Sequence, residues 1–465
     1  MTHLFQGATL IMLLAALGSC GSAGATPLKV HPGNPIWFAD ERGNALYLSG
    51  SHTWATRQER GIEGQTMDFD YPAYLDMMQR NGHNFLRMWA WEHAQWMQFC
   101  GSGVLIRYEP LPWPRTGPGL GKDGKPRFDV SRFDEGYFRR LRERVVAAGE
   151  RGVYVAVMLF QGFSVEQKGA RGVDPTRGNP WDGHPFNAAN NINGVDGDLN
   201  GDGEGLEVHT LASPDILRLQ EAYVKKTIDT LNDLDFDMWE IGNECHGGSV
   251  QWHYHLINFI KAYEATLPKQ HLVGMTGAPL KNPEMLASPA DWISPVGKKY
   301  SNDPPTADAA KVIVVDTDHI APWGNDPKWV WKNLCRGNHF IVMDAYQDVR
   351  FAVTGETPAD YGPIRRAMGA AVRLANKMEL AKMRPHGELS STGYCLAAPG
   401  MEYLVYLPEG GEATVDLSDA TGELQVEWMQ PVEGTLTAGD SVEGGAERTL
   451  RVPFEGDAVV HIWRG

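Results

Sequence analysis

FDMWEIGNECHGG (236–248) begins as an apolar run and ends in Gly-Asn-Glu just before a pair of glycines. Side chains alternate along a strand, so Glu240, Gly242 and Glu244 point the same way. Glu244 then lies at the strand's rim and Glu240 one layer deeper. A buried carboxylate needs a partner, and Arg87 in an earlier apolar run is the obvious one for Glu240. Glu244 is left free to meet a ligand.

Seven further short apolar runs resemble this one in length and spacing. They are ALYLSGS (45–51), NFLRMWA (84–90), VYVAVMLF (153–160), HLVGMT (271–276), DWISP (291–295), KVIVVD (311–316) and HFIVMDA (339–345). Helical patterns fall between most of them. Asp70 and Pro72 open one that runs to about Arg80, and Phe138, Leu141, Val145 and Ala148 mark a second. Ser213 and Pro214 cap a third, whose buried stripe is Leu219, Tyr223, Ile228 and Leu231. Residues 249–267, 326–337 and 362–380 supply the rest, with shorter connections around the fifth and sixth strands. Eight strands alternating with helices predict an α/β fold, a (β/α)8 barrel over 27–384 whose active site lies at the C-terminal strand ends. After about Arg384 the helical pattern stops and short strands follow one another, which predicts a small all-β sandwich over 385–465.

The ends of the chain's composition narrow the function. A formal net charge of −16 excludes a nucleic-acid partner, whose phosphates call for a basic surface. ATLIMLLAALGSC (8–20) is too short to span a bilayer and reads as a signal segment within 1–26, so the protein is expected outside the cytoplasm. Two processings fit: a lipoprotein signal with Cys20 as the lipidated residue, or plain cleavage near GSAGA. A membrane contact is expected only through that lipid. Cys100, Cys245, Cys335 and Cys395 show no metal-ligand spacing. Nothing in the sequence indicates an oligomeric state.

The barrel turns each strand end into a candidate. The seventh strand stops at Asp316, with Asp318 two residues on, and the eighth adds Asp344 and Tyr346. Two carboxyl groups across a cleft, one protonated and one ionised, are the minimum equipment for cleaving a glycosidic bond. Histidines His52, His93, His184, His246 and His319 also fall at predicted mouths, as do Trp54, Trp89, Trp91, Trp181 and Trp323, which would serve as sugar platforms. No catalytic cofactor is expected. DGDLNGDGEGLE (196–207) matches the calcium-loop template, with Asp196, Asp198, Asn200, Asp202 and Glu207 as ligands and Gly201 at the turn, and predicts a structural Ca2+ that orders the loop.

Asn-Glu closing strand four and an acid closing strand seven resemble the retaining glycoside hydrolases of clan A. YLSGSHTW (47–54), NPWDGHPFNAANNINGVDGD (179–198), DTDHIAPWG (316–324) and EYLVYLPEGGEATVDLS (402–418) resemble bacterial cellulase-like and apiosidase-like hydrolases with a collagen-binding-like C-terminal sandwich. The resemblance implies a carbohydrate substrate, Glu244 as general acid/base, Asn243 holding the neighbouring hydroxyl, and Arg87 beside the nucleophile. It puts the nucleophile at Asp316 first and Asp318 second, where the family carries glutamate. Two alternatives stand beside this one: a non-catalytic carbohydrate-binding lipoprotein, and a metal-dependent hydrolase built on His319, Asp316 and Asp318.

Overall fold

A computed structural model describes residues 27–465 except 63, 66–67, 99–102, 169–177, 278 and 321–323. The signal segment with Cys20, Cys100 and Trp323 lie outside the described residues. Among the described residues no helix is long and apolar enough to cross a membrane.

Eight parallel strands close a barrel: β1 (Ser49–His52), β2 (Phe85–Met88), β3 (Tyr154–Gln161), β4 (Asp237–Asn243), β5 (Val273–Thr276), β6 (Trp292–Ser294), β7 (Val312–Asp316) and β8 (His339–Met343). Almost every strand residue is buried, because the barrel interior takes one face and the surrounding helices the other. The main helices are α1 (Tyr71–Arg80), α2 (Glu135–Gly149), α3 (Pro214–Leu231), α4 (Val250–Glu264), α5 (Asn282–Ala287), α6 (Lys328–Cys335) and α7 (Gly362–Ala375), with short helical segments at Thr317–Ile320 and Val349–Thr354. Asp70 caps α1 by accepting from Ala73 N–H, and Ser213 caps α3 by accepting from Ile216 N–H, as their sequences predict. After β6 there is only a short turn, Lys298–Ser301.

One strand differs from its sequence reading. The run 45–51 is divided, with Ala45–Leu46 joining Lys29–Val30 and Phe38–Ala39 in a small antiparallel sheet while the barrel strand begins at Ser49. That sheet closes the barrel floor, where Leu28 and Phe38 pack against Phe85, Met238, Trp292 and Val312. Gly274 on β5 makes room for Trp292 in this interior, since a Cβ there would come within 2.0 Å of the indole.

The C-terminal region is a large antiparallel sheet in which Arg384–Pro385, Cys395–Ala398, Glu402–Leu407, Ala458–Trp463, Glu423–Met429 and Leu436–Ala438 lie side by side. Glu412–Asp416 and Glu447–Arg451 form a separate two-stranded sheet. Alternation divides the large sheet's side chains between two cores. Val405, Val426 and Val460 join Ala413 and Val415 of the small sheet. Leu404, Tyr406 and Val459 face the other way and belong to the barrel's own apolar cluster. Trp331 on α6 donates its indole N–H to Pro431 O across this seam (3.1 Å).

Candidate active site

At the C-terminal strand ends the barrel interior changes from apolar to polar, and Arg87 on β2 is the centre of the change. Its Nε and Nη2 donate to the two oxygens of Glu240 at 2.7 and 2.5 Å, the pairing expected from strand alternation. Nη2 also donates to Asn243 Oδ1 (2.7 Å), and Nη1 to Asp316 Oδ2 (3.0 Å). Thr276 on β5 completes Glu240 with a hydroxyl at 3.2 Å. Burial alone would lower the Arg87 pKa, but the carboxylates around it, Glu240 foremost, push it up, so the guanidinium stays charged.

Asp316 is the end of β7 and is 1% exposed. His52 on β1 donates to its Oδ1 at 3.0 Å, and the Asp318 N–H donates to the same oxygen at 2.9 Å. Burial would raise its pKa, yet His52 and Arg87 overcome this and hold it well below the usual carboxylate range. Asp316 is therefore an ionised, fully engaged carboxylate.

Asp318 follows in a single helical turn, Thr317–Ile320, that swings its side chain toward the rim. It is 14% exposed, Arg87 lies 3.9 Å away, and its Oδ2 has no hydrogen-bond partner. Burial, then the negative charge of Asp316, raises its pKa to about 6. Glu244 lies half-buried just past β4 with φ +47°, a left-handed conformation that side chains rarely adopt and that a surrounding structure must enforce. The backbone of Gly162 is pressed beneath it. Burial, then Asp318, raises the Glu244 pKa well above an ordinary glutamate, so the two carboxyl groups interact.

Asn243 is fully buried and oriented by several neighbours. Besides Arg87, its Oδ1 accepts from His319 Nε2 (3.1 Å), and its Nδ2 donates to Gln161 Oε1 (3.3 Å). His319 uses its other nitrogen on Ser294 Oγ (3.0 Å), and burial lowers its pKa to about 3, so it is neutral. Both ring nitrogens are thus engaged, which leaves none for the metal alternative. Among the described residues no group of three or more His, Cys, Asp or Glu side chains is arranged to hold a metal ion.

Several expected ligand contacts are scaffold instead. Trp54 and Trp89 are buried, with His52 stacked on Trp89 at 5.2 Å and the Arg87 guanidinium over the same ring. Large rings fill space beneath the polar layer here, and as buried groups they are no surface for a sugar. Asp344 is fully buried and clamped by Arg365 of α7 through bonds of 2.7 and 2.6 Å. His184 is buried near Glu92, which also accepts from His209 Nε2 (2.9 Å) and from Gln161 N–H (2.7 Å). The two histidines hold Glu92 ionised at about 2 against the effect of burial. Tyr346 is half-buried against Tyr74. Glu92, His209, Gln161 and Ser294 were not anticipated. Gln161 carried a usable signal, a polar residue closing an apolar run, whereas the others meet only in three dimensions.

In the 196–207 loop, Asp198 accepts from the N–H groups of Gly201, Asp202 and Gly203. Asn200 donates to Asp202 (3.0 Å) and Glu207 (2.9 Å), and Asp196 accepts from Asp198 N–H.

No family model and no curated protein matches the chain. Solved structures do match over almost its whole length, and they establish the fold. A glycoside hydrolase is similar at 13% identity and TM-score 0.59, with 95% of this chain and 97% of that one covered. A family 5 glycoside hydrolase from Bacteroides vulgatus gives 13%, 0.60, 94% and 93%. A putative glycoside hydrolase from the same organism gives 16%, 0.62, 94% and 82%. The chain thus has the architecture of these enzymes, a (β/α)8 barrel carrying a further β region.

Proposed function

We propose that the chain is a glycoside hydrolase that cleaves O-glycosidic bonds of a polysaccharide or oligosaccharide, with Glu244 as acid/base and Asp318 as the opposing carboxylate. One observation carries the reading: Asp318 keeps an oxygen free of hydrogen bonds and its charge raises the proton affinity of Glu244, while Asp316 and Glu240 are bound up on Arg87. The fold shared with glycoside hydrolases supports it. Asp318 replaces Asp316 as the preferred partner because it alone of the two keeps an oxygen without a hydrogen bond.

In this mechanism burial and the Asp318 charge favour the protonated form of Glu244, which delivers its proton to the departing glycosidic oxygen. Above about pH 6 Asp318 is ionised. Its carboxylate forms a bond to the anomeric carbon as the old C–O bond breaks, and Glu244, now ionised, takes a proton from the water that releases the sugar. Asn243 holds the adjacent hydroxyl, and Arg87 with Asp316 fixes the floor.

A diverse glycan panel tests this with the wild type, Glu244→Gln, Asp318→Asn and Asp316→Asn. Loss of turnover by about 10³-fold or more in the first two variants is expected, with azide or formate rescuing a truncated Asp318. Full activity of Glu244→Gln overturns the assignment. Binding without turnover in the wild type would favour the non-catalytic carbohydrate-binding alternative.

Export belongs to the same reading, since polymeric glycans lie outside cells; palmitate labelling of wild type against Cys20→Ala tests the lipid. Calcium in the 196–207 loop is a further element of it. The loop is oxygen-rich, as a hard cation requires, but its carboxylates are taken up by backbone N–H groups and by Asn200 and are not gathered as a metal cluster, so an ion would have to draw them together. A melting temperature that rises with CaCl2 and falls with EGTA is expected; no response to either removes the ion.

A further inference from the structure

Beside the barrel floor a groove of about 360 Å³ opens between the segment after α7 and the large C-terminal sheet. Helices of the barrel run opposite to its strands, so the end of α7 lies at the face away from the catalytic carboxylates. Lys377, Glu379 and Lys382 form one wall. The other is the barrel-facing side of the sheet beyond the point where Val459 packs on the barrel. There His461 and Trp463 are two apart on one strand, and the register places Glu427 opposite His461 and Glu402 opposite Trp463.

The groove is built around a fixed aromatic ring. Trp463 is half-buried and stacked on His461, with centroids 4.5 Å apart and planes within 17°. His461 is itself buried and donates to Glu402 Oε1 (2.7 Å), whose second oxygen accepts from Glu379 N–H (2.9 Å). The indole thus rests on a buried histidine–carboxylate pair that also ties the two walls together. Met401, 47% exposed, adds an apolar edge.

The charges around the ring decide the ligand class. Lys377, Lys382 and Arg464 are matched by Glu379, Glu402 and Glu427, three of each sign. Such a rim offers no net field to a phosphate, a metal ion or a charged peptide. It offers many donors and acceptors beside one flat apolar face, which suits a neutral ligand with hydroxyls at its edge and C–H groups on its faces. The volume holds one to two sugar rings at the lower end of ordinary ligand sites.

We propose that this groove is a second saccharide-binding site, in which Trp463 stacks against a ring of a neutral polysaccharide held away from the catalytic mouth. The site gives the C-terminal sheet a ligand-holding role in addition to packing. It stands whether or not the barrel turns over glycans, because its readout is retention and needs no hydrolysis.

Affinity electrophoresis tests it in native gels containing xyloglucan, galactomannan, arabinogalactan, arabinan or mixed-linkage β-glucan. Glu244→Gln serves as the parent, so that gels are not digested. Retardation in at least one gel is expected, with Glu244→Gln/Trp463→Ala binding about tenfold more weakly and Glu244→Gln/Trp463→Phe retaining most of the effect. In the otherwise wild-type chain, Trp463→Ala should slow attack on the retarding polymer but not on its short fragments. No retardation in any gel, or equal retardation with and without Trp463, overturns the proposal. A thermal melt of Trp463→Ala matching the parent shows that lost binding is not lost folding.

Discussion

Replacing Gly162 by alanine would strike the proposed acid without touching its side chain. A Cβ at this position would stand 2.2 Å from Glu244 O, 2.5 Å from Glu244 C and 2.6 Å from Cys245 Cα. These are backbone atoms that cannot rotate away, and carbon contacts of this kind do not close below about 3 Å. The Glu244 backbone must therefore retreat by roughly 1 Å, in a residue already held at φ +47°. Misplacement of that size lowers kcat by about 10²-fold, while the overpacking costs about 1–3 kcal/mol of stability and leaves the barrel folded. Gly247, in the same loop, is the control, because a Cβ there meets nothing within 4 Å and its φ is not left-handed. Steady-state kinetics on the substrate identified by the glycan panel, with thermal melts of both variants, provide the readout. A fully active Gly162→Ala, or a Gly247→Ala equally impaired, refutes the claim that this contact positions the acid.

Further predictions concern charge. Arg87→Met strands Glu240 and Asp316 in the interior and should cost about 3–5 kcal/mol in urea unfolding; a loss below about 1 kcal/mol would show that the layer does not depend on the pair. Activity should fall as pH drops through about 6, where Asp318 gains the proton it must lack, and fall again at higher pH when Glu244 loses the proton it must donate. A rate that is flat from pH 4 to 8 contradicts this assignment. His271 has its pKa raised to about 9 by Asp237 and Glu264 against the effect of burial. Its folded value lies above its unfolded one, so its contribution is complete below about pH 6.5 and is lost as pH rises through 9. Melts of wild type and His271→Gln should therefore converge between pH 7 and pH 10, and a constant gap would show that the charge is immaterial.

The barrel was legible because strands buried on both faces read as continuous apolar runs, and each of the eight runs overlaps a barrel strand. The divided run at 45–51 was not, since nothing local distinguishes Leu46, paired in the floor sheet, from Leu48 beside the barrel. The Gly/Pro-rich hairpin of Arg115–Leu120 and Pro126–Phe128 went unread, although Asp123-Gly124 between its strands is an ordinary turn signal. At the site, strand-end position identified Glu244, Asn243 and the aspartates, and alternation identified the Arg87–Glu240 pair. Strand-end position ranked Asp316, which ends the apolar run, ahead of Asp318, the reverse of the order proposed from the structure. That order follows from which oxygens are occupied, and His52, on a strand more than 250 residues away, occupies one of them. Tryptophans near strand ends misled for a related reason: position along a strand says nothing about the layer in which a ring comes to rest.

The strand order of the large sheet bears on how the chain reaches its final state. Ala458–Trp463 lies between Glu402–Leu407 and Glu423–Met429, so two halves of the sheet that cover α6 and α7 stay unjoined until that strand arrives. During synthesis the barrel would remain uncovered on that side until residues 458–463 had emerged. Residues 458–463 thus act as a latch: a ribosome stalled between residue 384 and that strand leaves an apolar wall exposed. Quality control would see an incomplete copy by its sticky flank, long before any substrate did.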